Sequence, residues 1–172
     1  MHRIVFVCHG NICRSTMAES VMNEFVRRAG LEDGFTIDSA AATSDELGNP
    51  PHSGTVAKLH EVGIPVTPHR ARLITKDELA QWDRIVCMDE ENLRDLRRIF
   101  GRDAAAQAEA QGRIAKLLAF VPEGSPLDPP ARDAGGRIRD VADPWFTGNF
   151  DATYRDVLAG CKGLLELETK LG

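Results

Sequence analysis

The sequence predicts an α/β fold: a three-layer sandwich with a central four-stranded parallel sheet flanked by helices. Two observations predict it. Short runs such as Ile4–Val7 are apolar without alternation, as in strands buried on both faces. Between such runs lie longer stretches whose apolar residues recur every three or four positions, the pattern of helices with one buried face. With 172 residues, 42% hydrophobic and 27% charged, the chain has the size and composition of one globular domain over 1–172.

The elements follow in order. Arg3–Val7 is the first strand, and it stops at Cys8. Five residues, one of them Gly10, separate Cys8 from Arg14. A helix then runs over Arg14–Ala29, with Ala18, Val21, Met22, Phe25, Val26 and Ala29 on one face. Ser15 or Thr16 stands at its start, and Glu19 follows Thr16 by three residues, the spacing of a capping box. Phe35–Asp38 is the second strand. The Pro50-Pro51 turn leads into a helix over Ser53–Val62, and Lys76–Gln81 is a short helix. Arg84–Cys87 is the third strand. The helix after it, Asp89–Phe100, opens on acids and closes on Arg94, Arg97 and Arg98, which suits its dipole. Residues 103–112, rich in Ala, Gln and Glu, extend or follow that helix, and Leu117–Phe120 is the fourth strand. Residues 122–144 hold five of the nine prolines and three glycines, a long loop of a kind that is often functional or mobile. The last helix sets Tyr154, Val157, Leu158, Cys161, Leu164 and Leu165 on one face. There is no internal repeat.

Ligands of parallel α/β sheets bind at the carboxyl ends of the strands, where Cys8 and Asp89 fall. The loop after Cys8 lies at the positive end of a helix dipole, and its N–H groups can converge on one point. Gly10 permits the tight path, and Asn11 tolerates a left-handed conformation. Arg14 adds a planar fork that matches two phosphate oxygens. The segment His9-Gly10-Asn11-Ile12-Cys13-Arg14-Ser15 therefore reads as a phosphate-binding loop between the first strand and the first helix. Cys8 sits at the bottom of this cradle, where dipole, amides and Arg14 favour the thiolate. A thiolate under a phosphate ester can attack phosphorus in line. A buried cysteine alone would be ordinary packing; the combination with Gly10, Asn11, Arg14 and Ser15 points to chemistry.

Cys8-His9-Gly10-Asn11-Ile12-Cys13-Arg14-Ser15, directly after a strand, resembles the signature of low-molecular-weight protein-tyrosine phosphatases. The resemblance extends to Asp38-Ser39-Ala40-Ala41, His69-Arg70-Ala71-Arg72, Ile85-Val86-Cys87-Met88-Asp89 and Asp143-Pro144-Trp145. It implies hydrolysis of protein phosphotyrosine through a cysteinyl-phosphate, with Cys8 as nucleophile, Arg14 as phosphate clamp and Asp143 as general acid and base. An acid suits a poor leaving group, and Pro144 biases Asp143 to an extended conformation. Asp140 is the nearby competitor. Ile12, Trp145 and Phe146 form the pocket rim, an apolar wall that stacks on an aromatic ring and desolvates Asp143. Asn11, Ser15, Ser39 and His69 match positions of a supporting hydrogen-bond network. Arg72 and Asp89 match positions of a structural ion pair outside the catalytic set. Cys13 matches a cysteine that can protect an oxidised nucleophile as a reversible disulfide. Two departures stand out. Trp145 and Phe146 replace aromatics that are commonly phosphorylatable tyrosines, and the opposite rim carries Glu46-Leu47, which makes the mouth more acidic.

Other classes fit less well. Arsenate reductase on this fold needs two further cysteines close in sequence, whereas Cys87 and Cys161 are far apart and Cys161 lies on an apolar helix face. Protein-arginine phosphatases typically carry threonine at the Ile12 position, and a bulky apolar side chain there favours a flat aromatic ring. A non-catalytic phosphate-binding or redox-switch module would not need Arg14 and Asp143 together. The net charge of −5 provides no general basic patch for nucleic acid, and no apolar run approaches the ~20 residues of a membrane span. No cysteine pair has zinc-knuckle spacing, and the chemistry implied needs no metal or other cofactor. The absence of a signal-like leader and the four cysteines point to a reducing, cytoplasmic setting. The partners expected are a phosphotyrosine protein or peptide, inorganic phosphate as product, and a tyrosine kinase acting on the same substrate.

Overall fold

A computed structural model describes residues 1–171. Four parallel strands, β1 (His2–Cys8), β2 (Phe35–Ala41), β3 (Arg84–Cys87) and β4 (Ile114–Lys116), lie in the order β2-β1-β3-β4. The helices are α1 (Arg14–Ala29), α2 (Ser53–Glu61), α3 (Glu90–Phe100), α4 (Arg102–Ala110), α5 (Pro144–Thr147) and α6 (Phe150–Leu171). Ile4, Val5, Phe6 and Val7 are all fully buried. Ile4, Phe6 and Cys8 face the layer of α1 and α6, and Val5 and Val7 face the layer of α3 and α4. That two-sided burial is why β1 is continuously apolar. The chain passes from β2 on one side of β1 to β3 on the other. The crevice between β1 and β3 is therefore the topological switch point, with Cys8 at its edge.

The fourth strand departs from the sequence reading. It is Ile114–Lys116, paired with Ile85–Cys87, while Leu117–Phe120 is a 3-10 turn. Leu117 and Leu118 are apolar because they are buried under α6, not because they are extended. Two α6 glycines make room for that turn. A Cβ on Gly160 would lie 2.4 Å from Leu117 Cγ, and one on Gly163 would lie 2.0 Å from the Phe120 carbonyl oxygen. Residues 102–110 form a helix of their own because Gly101, at φ 89°, breaks from α3.

The start of α1 also departs from the capping box expected there. Its N-cap is Cys13, with no side-chain cap, and Thr16 Oγ1 donates back to the carbonyls of Ile12 (2.9 Å) and Cys13 (3.1 Å). Glu19 turns away into a buried network described below.

The long loop is pinned rather than loose. Arg139 donates to both carboxylate oxygens of buried Asp156 on α6 at 2.7 Å, and to the carbonyls of Pro129 and Pro130. Arg132 donates to the carbonyls of Val121 and Ala119, and Lys116 Nζ to that of Ile138 at 2.6 Å. Asp156 also accepts from the Ala142 N–H, and Thr153 Oγ1 donates to the Ala142 carbonyl. Residues 139–142 are thus stitched to α6 immediately before Asp143. No helix among the described residues is long and apolar enough to cross a membrane.

Candidate active site

β1 delivers Cys8 to the floor of a pocket of about 220 Å³ that is also lined by Ile12, Cys13, Arg14 and Asp143. The loop between Cys8 and α1 is held open from behind. The carbonyls of Cys8, His9 and Ile12 accept from the N–H groups of Ala42, Thr43 and His52 at 2.9, 3.1 and 2.7 Å. The N–H groups of residues 10–15 make no hydrogen bond to the rest of the chain among the described residues. A loop whose carbonyls are tied away and whose donors are free is the arrangement that binds an oxyanion.

Asn11 sets the loop. It is fully buried at φ 58°, a conformation asparagine tolerates better than most residues. Its Oδ1 accepts from His69 Nε2 (2.6 Å) and from the Arg72 N–H (3.2 Å), which fixes the amide orientation. Its Nδ2 donates to Ser15 Oγ and Ser39 Oγ, both at 2.9 Å. Each hydroxyl, already accepting, turns its own proton elsewhere. Ser39 donates to Glu19 Oε2 at 2.5 Å, and the Ser15 hydroxyl faces Cys8 Sγ at 3.0 Å. Accepting from Asn11 leaves the Ser15 proton free, so the hydroxyl is placed to donate to the Cys8 sulfur.

Behind Ser39 lies a charged layer that sequence reading left outside the network. Burial pushes the Glu19 carboxyl up to about 7 against the pull of the Ser39 hydrogen bond. Burial also holds His69 below its ordinary value, with Nδ1 facing Glu19 Oε2 at 3.5 Å. Arg72 binds Asp38 at 2.7 Å and Glu78 at 3.0 Å. Arg72 and Asp89 are therefore not paired with each other as expected: Arg72 pairs with Asp38 and Glu78, and Asp89 lies against Arg14 at 2.6 Å. Glu19, Asp38 and His69 are the one group among the described residues that could hold a metal ion. Their atoms are already engaged by Ser39, Arg72 and Asn11.

Arg14 is 3% exposed. Burial opposes its charge, but Cys8, Asp89 and Asp143 outweigh that and keep it cationic. One nitrogen is held by Asp89, and the other lies 3.1 Å from Asp143 Oδ2. Asp143 caps α5, accepting from the Trp145 N–H at 3.1 Å, with Pro144 in the first helical turn. Asp140 does not line the pocket; it is paired with Lys116 at 3.1 Å and accepts from the Glu90 N–H. Cys13 lines the pocket as a thiol, pushed up to about 12 by burial and by the neighbouring Cys8 and Asp143.

The rim differs from the enclosing wall expected of it. Trp145 is 60% and Phe146 84% exposed, so both stand at the mouth as platforms. His52 meets Trp145 edge-on and stacks on Phe150, which anchors that side. Ile12, at 8% exposure, lines the pocket itself. His9 sits on the opposite rim, with Nε2 2.7 Å from Asp45 Oδ2.

Comparison with known proteins gives a consistent answer. The family model described as low molecular weight phosphotyrosine protein phosphatase matches residues 3–171. YfkJ of Bacillus subtilis, a low molecular weight protein-tyrosine-phosphatase, is 34% identical over 96% of this chain and 94% of its own. Its crystal structure superposes with a TM-score of 0.82, covering 99% and 96% of the two chains. The human low molecular weight phosphotyrosine protein phosphatase is 33% identical over 95% of this chain and 93% of its own. The Drosophila arginine phosphatase DARP is 27% identical, with a TM-score of 0.74 over 96% of each chain.

Proposed function

The chain belongs to the low molecular weight phosphotyrosine protein phosphatase family, and on that premise we propose a two-step hydrolysis of protein phosphotyrosine at Cys8. The observation that carries it is the convergence of Cys8, Arg14 and Asp143 on one pocket beneath a loop of free N–H donors. In the first step the phosphate sits in the loop of residues 9–15, held by the amides and by Arg14. The Cys8 thiolate attacks phosphorus in line, the bond from phosphorus to the tyrosine oxygen breaks, and Asp143 protonates the departing oxygen. Arg14 and Asp143 are partners at 3.1 Å in the structure. Phosphate oxygens would take over that guanidinium nitrogen and free Asp143 for the leaving group. In the second step Asp143, now a carboxylate, takes a proton from water as the water attacks phosphorus. The bond from sulfur to phosphorus breaks, and inorganic phosphate and the thiolate are returned. Ser15 supports the sulfur both as nucleophile and as leaving group. Every proton and electron pair comes from chain, substrate or water, so the scheme requires no cofactor.

The arginine phosphatase likeness raises a second substrate, phosphoarginine, since one fold serves both. Ile12 on the pocket wall, bulky and apolar, supports the aromatic ring instead. The test is kcat/KM on matched phosphotyrosine, phosphoserine and phosphoarginine peptides. Phosphotyrosine should exceed the others by at least about tenfold, a gap of roughly 1.4 kcal/mol in transition-state binding. A preference for phosphoarginine would overturn the assignment. The partners in this reading are tyrosine-phosphorylated proteins and the kinases that modify them.

A further inference from the structure

Resting on the phosphatase reading above, we propose that this pocket selects phosphotyrosine in segments rich in lysine and arginine. The floor of the pocket can hold a phosphate, but its cation is already committed. Among the described residues Arg14 is the one lysine or arginine that lines the pocket, with His9 the only other group there able to carry positive charge, and Asp89 and Asp143 flank the Arg14 guanidinium at 2.6 and 3.1 Å. Arg70, which reaches the Gly48 carbonyl at 3.4 Å, does not line the pocket.

The mouth adds three carboxylates, Asp45, Glu46 and Glu91. Glu46 is held in place. Its stem lies over Gly10, where a Cβ would come within 2.9 Å of Glu46 Cγ, and Asn49 Nδ2 donates to its Oε2 at 2.6 Å. Asp45 Oδ2 lies 2.7 Å from Nε2 of the half-exposed His9 ring, and Glu91 has no ion-pair partner among the described residues. Beside them stand Trp145 and Phe146, both largely exposed. Exposed aromatic surface at a pocket mouth is contact surface, and its faces attract ammonium and guanidinium groups. A peptide whose flanks are acidic meets repulsion from three carboxylates, and one whose flanks are basic meets attraction and two aromatic platforms. Such complementarity acts on encounter and partner choice, and it is screened by salt.

The experiment compares kcat/KM on matched phosphotyrosine peptides with Lys/Arg or Glu/Asp flanks. Each value is divided by the same protein's kcat/KM on p-nitrophenyl phosphate, which has no flanks. At low ionic strength the basic peptide should lead by about tenfold, and ~1 M salt, where the screening length falls to about 3 Å, should remove most of that lead. Glu46→Gln with Glu91→Gln should bring the ratio to within about twofold, since both changes remove charge and keep shape. Turnover of p-nitrophenyl phosphate with equal use of both peptides, a preference for acidic flanks, or a preference indifferent to salt and to the paired substitution overturns the inference alone. No turnover of p-nitrophenyl phosphate overturns the phosphatase reading, and this inference with it.

Discussion

Asn11 stands at the centre of the hydrogen-bond chain behind Cys8, and Glu19 at its far end. Asn11 serves two acceptors and two donors from a left-handed backbone, so its side chain fixes both the loop path and the direction of the Ser15 hydroxyl. Asn11→Ala leaves buried partners unsatisfied, at about 1–3 kcal/mol, and adds about 1–2 kcal/mol of left-handed strain. The expected outcome is a loss of about 3–4 kcal/mol in urea unfolding, together with a kcat on p-nitrophenyl phosphate reduced more than about tenfold. An unchanged kcat would show that the network supports the fold and not the sulfur. Glu19 gives a pH signature. Its carboxyl is pushed up to about 7, so the folded chain holds that proton more tightly than the unfolded chain, whose ordinary value is ~4.3. Its contribution is therefore fully present below the unfolded value and is lost as pH rises through the folded one. The stability of the wild type relative to Glu19→Gln should fall by up to about 3 kcal/mol between roughly pH 4.5 and pH 8. A difference that stays flat across that range contradicts the burial of Glu19 as an ionisable group.

α6 acts at the scale of elements, because it packs on one part of the chain and positions another. Its glycines accept the 3-10 turn at Leu117–Phe120 in direct backbone contact. Gly→Ala in a helix interior ordinarily gains about 1 kcal/mol. Gly163→Ala should instead cost about 3 kcal/mol or more, because its Cβ would sit 2.0 Å from a backbone oxygen. Thermal unfolding decides between the two signs. Further along, Asp156 is 1% exposed and holds Arg139 and the Ala142 N–H, one residue before Asp143. Arg139→Met strands a buried carboxylate at about 3–5 kcal/mol and unfastens the segment that leads into Asp143, the proposed acid. It should lower stability and kcat while leaving vanadate affinity within about threefold, since the proposed mechanism assigns the oxyanion to the separate loop after Cys8. Vanadate binding lost in step with kcat would contradict that division of labour.

Over the whole molecule, what was legible in the sequence is what local chemistry writes locally. Buried parallel strands are continuously apolar, so β1 and β3 were readable. Cys8, Asn11, Arg14 and Ser15 share one loop, so their spacing carried the phosphate cradle. β4 was misplaced because it has only three residues and contains Lys116, whose ammonium pairs with Asp140. The more apolar Leu117–Phe120 reports burial, which a turn can have as well as a strand. Ser39 and His69 could be named only through the resemblance. Glu78 and Asp156 carry no sequence signal, Glu19 reads as a helix-start residue and Asp38 as part of a matching stretch without a role, because such charges are explained by partners far away in sequence, as in Arg72 with Asp38 or Arg139 with Asp156. The central claim concerns the covalent chemistry at the end of β1. Its most direct test is acid-quenched single turnover of a phosphotyrosine peptide, with the labelled protein digested and sequenced by mass spectrometry. The account expects one phosphoryl group on the peptide that contains Cys8, formed and lost at rates consistent with kcat, and none in Cys8→Ser. Turnover with no phosphoryl group on Cys8 at any time point, or activity retained in Cys8→Ser, would contradict it.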